Sequence, residues 1–406
     1  MYVESGTMVP LTINSDVINN TATGYGGGVR VWGTLVGTET ESDISYNCAP
    51  HGGGASISGG ALTLDGSDMR GNEAADVDGQ GGGLHIVDAG AVALLGNAWV
   101  YEGTAHAGAG LYLDGSTADL GYSCVGGNAA EGDGGGIYLT NSSTLTGSSL
   151  SLIGKNRYAN TARDGGGVYA SGSMVHYAGT MSANAANERG GGIAAVEGSK
   201  VTLVDAVVSQ NEAAVYGGGV YADDSAVNVS HTRLHGNMGA RGGAFFQEGA
   251  AATGDLRNTL IYSNTAAAQL GAGIRSQAGV VTMTHVTLAN NINGAGYSQS
   301  TTDGFAVNSI AWGNEFGGFW VTSGDLSGTC SLDETGNAGP ALDPLFVSPG
   351  AGEDYHLRQG SPAIDRCAAG LAEDLDHVSR PIGGGYDAGA YESSSLSVYL
   401  PLVQRE

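Results

Sequence analysis

The chain has 406 residues, including 72 glycines, and a formal net charge of −25 from 40 acidic and 15 basic residues. This charge argues against nucleic acid and anionic membrane surfaces as partners, and no apolar run approaches the ~20 residues of a membrane-spanning helix. The glycine content, together with the lack of sustained apolar spacing of three and four residues, excludes helix for the body of the chain.

The first predicted element is a strand at Leu11-Thr12-Ile13, which is followed by Asn20. Residues 1–10 have neither the basic start nor the apolar stretch of a signal peptide. We therefore expect the sequence to begin within a repeated β-structure. An uncovered first coil exposes strand edges, so end-to-end stacking of copies into a filament is one hypothesis for its partner.

A glycine triplet or near-triplet followed by an apolar residue then recurs ten times, at intervals of 25 to 31 residues. Between triplets, as in residues 220–230, apolar and polar residues alternate as they do in strands. A period of this length is typical of stacked repeat units. The triplets begin at Gly26, Gly52, Gly81, Gly108, Gly134, Gly165, Gly190, Gly217, Gly242 and Gly271.

Three short strands and three turns use roughly 25 residues, which is the size of one coil of a parallel β-helix. We therefore predict an all-β fold: a right-handed parallel β-helix solenoid with three strands per coil of about 27 residues, and about 12 coils. The solenoid is expected to occupy residues 1–330.

An asparagine precedes most triplets, usually by five or six residues, and its amide both donates and accepts hydrogen bonds. Copies one coil apart are predicted to form an internal asparagine ladder, while the glycines permit positive φ and close approach of neighbouring coils. The predicted ladder contains Asn20, Asn47, Asn128, Asn160, Asn184, Asn211 and Asn237, with Asn72, Asn97 and Asn264 at longer spacing.

The residue after each triplet is predicted to point inwards and the next one outwards, because side chains alternate along a strand. The inward row is aliphatic and forms the predicted core. The outward row is often aromatic, and its rings either form a platform of roughly 25 Å for sugar rings or a partner, or stabilise the sheet by packing on one another. The candidate binding residues are Tyr112, Tyr138, Tyr169, Tyr221 and Phe246.

Four cysteines and a low lysine content favour an extracellular or cell-surface location. Cys48 and Cys124 are separated by nearly three coils, or roughly 14 Å, and are not expected to pair. Cys330 and Cys367 flank the C-terminal segment and are the better candidates for a disulfide. The sequence leaves their pairing open.

The repeats stop near residue 330, where prolines become frequent. We predict a non-repeating C-terminal cap over residues 331–392. Residues 393–406 follow as a linker and a terminal strand, which either anchors the chain or docks on the rod.

Several short motifs of this C-terminal segment form a recognisable series: Asp343–Phe346, Tyr355–Leu357, Gly360–Asp365 and Asp387–Glu392. The series resembles the end of choice-of-anchor Q domain proteins, which are bacterial β-helix proteins. The coils are also similar to polymorphic outer-membrane protein repeats, and the tail resembles those of secreted proteins from Chloroflexota. These resemblances imply a secreted or surface-displayed parallel β-helix.

Where the choice-of-anchor Q family often has Asp-x-Asp-Gly, this chain has Asp374-Leu375-Asp376-His377. The oxygens of Asp374, Asp376 and Asp387 are ligands of the kind that calcium prefers. We nevertheless expect them to be solvated turn carboxylates, and calcium binding is the alternative. No other cofactor is expected.

Catalysis on a polysaccharide needs a base with cations nearby, or two carboxylates about 5 to 9.5 Å apart. The densest polar group is Asp223-Asp224 with His231, Arg233 and His235, but Asp223 belongs to a repeated row of acidic turn residues. We therefore predict no catalytic residue and no metal site. A noncatalytic adhesion, extracellular-matrix or self-assembling protein is expected, and a polysaccharide lyase or glycoside hydrolase of the β-helix type is the alternative.

Overall fold

The computed structural model describes residues 1–4, 8–11, 16–37, 42–301 and 303–393. Thr12 and Ile13 of the predicted first strand, and the tail from residue 394 onwards, lie outside the described residues. Over the described part of the chain the structure is all-β, with parallel sheets stacked coil upon coil and no α-helix. The predicted right-handed parallel β-helix is confirmed.

Sheet 1 runs along the solenoid and pairs the strand after each glycine triplet with its counterparts one coil away. Within the described residues it contains 13 strands, close to the predicted number of coils. Its strands are Tyr2–Val3, Val29–Val31, Ala55–Ser58, Leu84–Val87, Leu111–Asp114, Ile137–Thr140, Val168–Ser171, Ile193–Val196, Val220–Asp223, Phe245–Glu248, Ile274–Ser276, Tyr297–Gln299 and Phe319–Val321.

Sheet 2 receives two successive strands from each coil, so a coil has four strands instead of the predicted three. In two coils the pair merges into one strand of ten residues. The strands of sheet 2 are Met8–Leu11, Val17–Ile18, Thr34–Gly37, Asp43–Ser45, Ala61–Asp65, Asp68–Arg70, Ala91–Leu95, Trp99–Tyr101, Thr117–Asp119, Cys124–Gly126, Thr144–Gly147, Leu152–Ile153, Met174–Tyr177, Thr180–Ser182, Lys200–Val204, Val207–Ser209, Ala226–Ser230, Arg233–His235, Thr253–Tyr262, Val280–Ala289, Asp303–Val307, Ile310–Trp312, Leu326–Thr329 and Leu332–Asp333.

Sheet 3 closes each coil before the next triplet. Its strands are Cys48–Ala49, Glu73–Ala74, Thr104–Ala105, Ala129–Ala130, Thr161–Asp164, Ala185–Arg189, Glu212–Tyr216, Met238–Arg241 and Thr265–Leu270. An antiparallel pair, Phe346–Ser348 with Asp354–Leu357, and short 3₁₀ turns at Asn156–Tyr158 and Gly350–Gly352 complete the described elements.

Each coil turns at residues in the left-handed region of φ. In the coil that starts at Gly217, the corners are Gly217 (φ 64°), Asp224 (46°), His231 (44°) and Gly236 (63°). Glycine, asparagine, aspartate and histidine tolerate this region better than most residues do. The corner residues therefore bend the chain between short strands while the strands themselves stay extended.

The glycine triplet serves two different steric needs. Gly217 provides the positive φ, whereas a Cβ on Gly218 would lie 2.3 Å from the carbonyl oxygen of Met238, and one on Gly219 would lie 2.5 Å from that of Ala244. Any side chain at the second or third position would push apart the coils that the sheets hold together. Both roles predicted for the glycines are confirmed.

The core is a continuous aliphatic column inside the coils. The residues predicted to point inwards are at most 1% exposed and belong to one cluster that spans the solenoid. They are Val29, Leu84, Leu111, Ile137, Val168, Ile193, Val220 and Ile274. Each coil covers the apolar surface of the next, so stability accumulates through neighbouring contacts.

The asparagine ladder is present inside the solenoid. The backbone N–H and side-chain Nδ2 of Asn184 both donate to Oδ1 of Asn211, at 3.0 and 2.9 Å. Nδ2 of Asn211 in turn donates to the carbonyl of Met181 in the preceding coil, at 3.0 Å. Each amide is thereby satisfied from both sides, although it lies in an interior that excludes water.

One predicted rung is wrong. Asn97 is exposed in the turn before Trp99–Tyr101, one strand too early to enter the interior. Gly103 takes the ladder position in that coil, and its N–H donates to Oδ1 of Asn128 at 2.9 Å. At the far end the Glu334 carboxylate accepts the N–H groups of Gly313 and Asn314, which terminates the ladder.

The segment after the last parallel strand lies partly over the last coil and partly along the solenoid flank. Ala338 packs into the end of the core. Farther on, the segment turns back over sheet 2, where Asp376 pairs with Arg233 at 2.7 Å.

Cys330 and Cys367 form a disulfide, whereas Cys48 and Cys124 are free, as expected. The segment therefore covers a side of the rod as well as its end, and the domain boundaries stay a prediction.

Candidate functional site

The outer face of sheet 1 carries stacked rings. Ring centroids are 5.5 Å apart between His85 and Tyr112, 5.1 Å between Tyr112 and Tyr138, and 4.9 Å between Tyr138 and Tyr169. Parallel strands in register lie about 4.8 Å apart, so equivalent side chains come to lie face to face. We call these four residues the ring row.

Most of the five candidate binding residues have little exposed surface. Tyr112 is 7% exposed, Tyr221 and Phe246 are fully buried, and Tyr138 and Tyr169 are half-buried. Tyr112 and Tyr138 have both ring faces covered by the rings one coil above and below, because the strand spacing matches the thickness of an aromatic stack. Ring edges and hydroxyls, not ring faces, are directed away from the sheet. The role of the five residues in ligand binding stays a prediction.

The five predicted residues also fall into two groups. Ala194 interrupts the row after Tyr169. On the other side of this gap Tyr221 and Phe246 pack on each other at 5.9 Å, and Tyr216 covers Phe246 at 4.6 Å. This second group is an apolar cluster on the outer face and presents little surface.

A cleft of about 370 Å³ lies at the N-terminal end of the ring row. The Arg30 guanidinium carbon lies 4.7 Å from the ring centre of Tyr25 and 4.2 Å from that of Trp32, which is cation–π geometry. Within the described residues, the buried Nε of Arg30 and Nδ1 of His51 have no hydrogen-bond partner. The cleft is lined by Tyr25, Arg30, Ser56, Ser58, Gln80, His85, Val87, Asp88, Tyr112 and Asp114.

The polar groups of the cleft are held by neighbours from adjacent coils. Ser58 Oγ donates to Asp88 Oδ2 at 2.7 Å, and Asn141 Nδ2 donates to Asp114 Oδ1 at 2.6 Å. Burial lowers the pKa of His85 to about 4, so its imidazole is neutral at pH 7. The cleft therefore offers one cation, two fixed carboxylates and several neutral polar groups.

Two arginine–aspartate pairs line sheet 3 beside the ring row. Asp164 is fully buried, and Arg189 holds both of its oxygens, with Nη2 to Oδ2 at 2.7 Å and Nε to Oδ1 at 3.1 Å. Arg163 forms a similar fork with Asp133. Both carboxylates therefore find their hydrogen-bond donors within the protein, and we assign the two arginine–aspartate pairs a structural role.

The polar group considered for catalysis is dispersed by the fold. Asp223 lies in register with Glu248 on the next strand of sheet 1, and burial followed by the nearby Glu248 charge raises the pKa of Asp223. Arg233 and His235 lie on sheet 2 instead, where His235 stacks on Tyr262 at 4.8 Å. Asp223 is thereby paired with Glu248, a residue outside this group, and it lies on a different sheet from Arg233 and His235.

The three aspartates considered for calcium have other partners. Asp374 accepts N–H groups from Asp376, Val378 and Glu392, and Asp376 contacts the cationic Arg233 at 2.7 Å. Asp387 is buried, which raises its pKa to about 6, and it accepts the N–H groups of Asp365 and Ser393. Calcium binding stays a prediction, and these hydrogen bonds show how the carboxylates order the segment.

Tyr25 and His51 lie beside the ring row and were not predicted from the sequence to do so. A signal was present, because both residues immediately precede a glycine triplet and therefore occupy equivalent positions in successive coils. In the structure their rings stack at 5.1 Å, and His51 lies 5.5 Å from His85. The residue before each triplet, considered together with the outward row, would have indicated that these side chains share one face of the solenoid.

No protein-family model matches the sequence, and no curated protein matches it. Among solved structures, the chain is similar to the one described as "Crystal structure of pectate lyase Pel9A", with 13% sequence identity and a TM-score of 0.47. The similarity covers 82% of this chain and 88% of the other. It concerns the parallel β-solenoid fold alone. Among the described residues, no helix has the length and apolar character needed to cross a membrane.

Proposed function

We propose that this is a noncatalytic, extracellular or cell-surface β-helix protein that binds a neutral, hydroxyl-rich glycan along the outer face of sheet 1, in adhesion or in an extracellular matrix. The observation that carries the proposal is the cleft at the end of the ring row, where Arg30 stacks between Tyr25 and Trp32 and keeps a buried, unpaired Nε within the described part of the chain. Membership of the choice-of-anchor Q family is part of this proposal.

The chemistry of the cleft suits sugar hydroxyls, which both donate and accept hydrogen bonds. Arg30 provides donors, and the carboxylates of Asp88 and Asp114 provide acceptors. Beyond the cleft, the hydroxyls of the ring row continue in the same direction, and burial raises the pKa of Tyr138, so its hydroxyl stays protonated and able to donate. The net charge of −25 disfavours an acidic glycan.

The test is a glycan array followed by titration calorimetry with the neutral oligosaccharide that gives the strongest signal. We expect Arg30→Met to weaken binding at least about tenfold, which is about 1.4 kcal/mol, and the double variant Tyr138→Ser, Tyr169→Ser to weaken it similarly. Tyr122→Ser is the matched control, because Tyr122 is 58% exposed and lies outside the cleft and the ring row. An array that shows only acidic glycans, or no glycan, would overturn the proposed ligand.

The alternative, a polysaccharide lyase or glycoside hydrolase, has one observation in its favour: Asp223 and Glu248 lie side by side, and Tyr221 donates a 2.6 Å hydrogen bond to Glu248. An assay for reducing ends and unsaturated products over a broad polysaccharide panel decides between the two. We expect no release. Release that disappears in the double variant Asp223→Asn, Asp224→Asn would establish the alternative.

A further inference from the structure

A row of polar corner residues runs along sheet 2, at the bend between its two strands in each coil. Asp205, His231, Asn258, His285 and Asn308 occupy this bend in five successive coils, with φ between 43° and 55°. Their side chains therefore project from one edge of the solenoid at intervals of one coil. The C-terminal segment lies along this edge.

The segment contacts each residue of the row. The carbonyl oxygens of Ala369 and Glu373 accept hydrogen bonds from the side chains of Asn308 and Asn258, respectively. Arg380 contacts the imidazole of His285. At the far end of the row His377 reaches two coils at once: its ring stacks on His231 at 4.5 Å, and its Nε2 lies 2.8 Å from Asp205 Oδ1.

We infer that Asp205, His231 and His377 bind a divalent transition-metal ion such as Zn²⁺, which ties two adjacent coils to the C-terminal segment. One ligand atom from each residue lies within 4.8 Å of the other two. Two imidazoles and a carboxylate are ligands that Zn²⁺ accepts, with bonds of about 2.0 to 2.2 Å that leave a fourth position for water.

The surrounding hydrogen bonds support this assignment. Glu373 Oε2 lies 3.3 Å from Nδ1 of His377, so that the opposite ring nitrogen is directed at Asp205. A carboxylate on the far nitrogen is the usual partner of a metal-bound histidine, since it fixes the tautomer and raises ligand basicity. Asn258 Nδ2 donates to the carbonyl of Glu373 at 2.8 Å and thereby holds the segment that carries His377 against the row. Its 3.1 Å contact with Nε2 of His231 has to open when that ring binds a metal, because the amide is a donor and occupies the lone pair of Nε2.

The ligand atoms have to approach one another for coordination. Tetrahedral ligands of zinc are roughly 3.4 Å apart, given its bond lengths, and the atoms here are spread over up to 4.8 Å. Asp205 and His377 are 45% and 53% exposed at their side chains, so both have room to rotate. His377 has to give up its stack on His231, because one ion must lie in the plane of both rings. In the competing arrangement His377 stays protonated and forms ion pairs with Asp205 and Glu373 only.

The experiment uses the full chain without an affinity tag, treated with a chelator and then titrated with Zn²⁺ by calorimetry. We expect one saturable site per chain. Co²⁺ in place of Zn²⁺ should give a visible absorption spectrum of nitrogen and oxygen coordination, which His231→Gln and His377→Gln should each abolish. Glu373→Gln should lower the Zn²⁺ affinity about 10- to 100-fold, because it removes the group that orients His377.

His356→Gln is the matched control, since His356 lies on the same segment between Asp354 and Asp376 but outside the proposed site. Its affinity and Co²⁺ spectrum should equal those of the wild type. Circular dichroism of each variant, and the milder Asp205→Asn, separate lost coordination from lost folding. Absence of saturable Zn²⁺ binding by the wild type, a spectrum that survives in His231→Gln, or equal loss in His356→Gln would overturn the site and leave His377 with its ion pairs to Asp205 and Glu373.

Discussion

At the scale of single residues, the asparagine ladder is the clearest case in which one side chain supports two coils. Asn211 is fully buried, and its Oδ1 accepts both the N–H and the Nδ2 of Asn184. We expect Asn211→Ala to lower the free energy of unfolding by about 3 kcal/mol, because two buried donors lose their acceptor. Urea unfolding followed by circular dichroism measures this change.

Asn97→Ala is the control for that experiment. Asn97 was predicted to be a rung but is exposed, so its removal should change stability by less than about 0.5 kcal/mol. Equal losses in the two variants would mean that the ladder contributes no more than an ordinary surface asparagine.

His85 makes stability depend on pH. Its pKa is about 4 in the folded protein because burial disfavours the charged imidazole, whereas the unfolded chain has an ordinary histidine pKa of about 6.5. Between these two pH values the unfolded state binds more protons than the folded state does. The contribution of neutral His85 to the free energy of unfolding is therefore fully present above pH 6.5, and it falls by roughly 3 kcal/mol in total as the pH approaches 4.

The variant His85→Tyr tests this dependence, since tyrosine continues the ring row without titrating in this range. We expect urea midpoints measured at pH 7 and pH 4.5 to differ less for His85→Tyr than for the wild type. Asp387, whose pKa is raised to about 6, acts in the opposite sense and is common to both proteins. A pH dependence unchanged by the substitution would contradict the assignment, and His176→Gln, at an exposed position, is the control.

At the scale of elements, the C-terminal segment is held to the solenoid by the disulfide between Cys330 and Cys367. The bond closes a loop of 37 residues, and chain entropy assigns about 4 kcal/mol to such a loop. We expect Cys330→Ser with Cys367→Ser to lower the stability of the docked segment by this order, and limited proteolysis should cut within residues 340–390 much faster than in the wild type.

Cys48→Ser is the matched control for the disulfide variant, because Cys48 is free and only partly buried. It should leave the cleavage rate unchanged. If the double serine variant is cut no faster than this control, then the contacts with sheet 2, such as Arg233 with Asp376, are sufficient to hold the segment.

At the scale of the whole molecule, the two ends of sheet 1 differ. Over the described residues, Tyr2–Val3 pairs only with Val29–Val31, whereas at the other end the carbonyl of Phe319 accepts hydrogen bonds from Thr335 Oγ1 and Asn337 Nδ2. Unpaired strand edges can accept a strand from another copy. We propose that copies of this chain associate through the Tyr2–Val3 edge in concentrated solution, which would give assemblies of rods roughly 60 Å long in electron micrographs.

Tyr2→Pro should reduce this assembly. The carbonyls of Met1 and Val3 accept the N–H groups of Arg30 and Trp32, so the N–H of Tyr2 between them faces the outer edge, and proline lacks the N–H that a neighbouring strand would use there. Tyr122→Ser, on the side of the rod, should not. Dispersed single rods at all concentrations of the wild type would contradict end-to-end association.

The repeat alone was enough to predict the parallel β-helix with its coils stacked one on the next. It also predicted the inward-pointing residues after the triplets and most of the asparagine ladder. These features depend on one coil and its neighbour, and a period of about 27 residues brings equivalent positions together whatever the rest of the chain does. Residues such as Gly217 and Asn211 were therefore readable from their place in the repeat.

Only the tertiary structure decided which of the outer side chains are accessible. The ring faces of Tyr112 and Tyr138 are covered by their own neighbours at the strand spacing, which alternation along a single strand does not reveal. The return of the C-terminal segment to the solenoid flank was equally hidden, because the contact of His377 with Asp205 joins residues 172 positions apart and outside the repeat. A repeat predicts contacts between equivalent positions of neighbouring coils. It does not predict the contacts of the C-terminal segment, because that segment lacks the repeat.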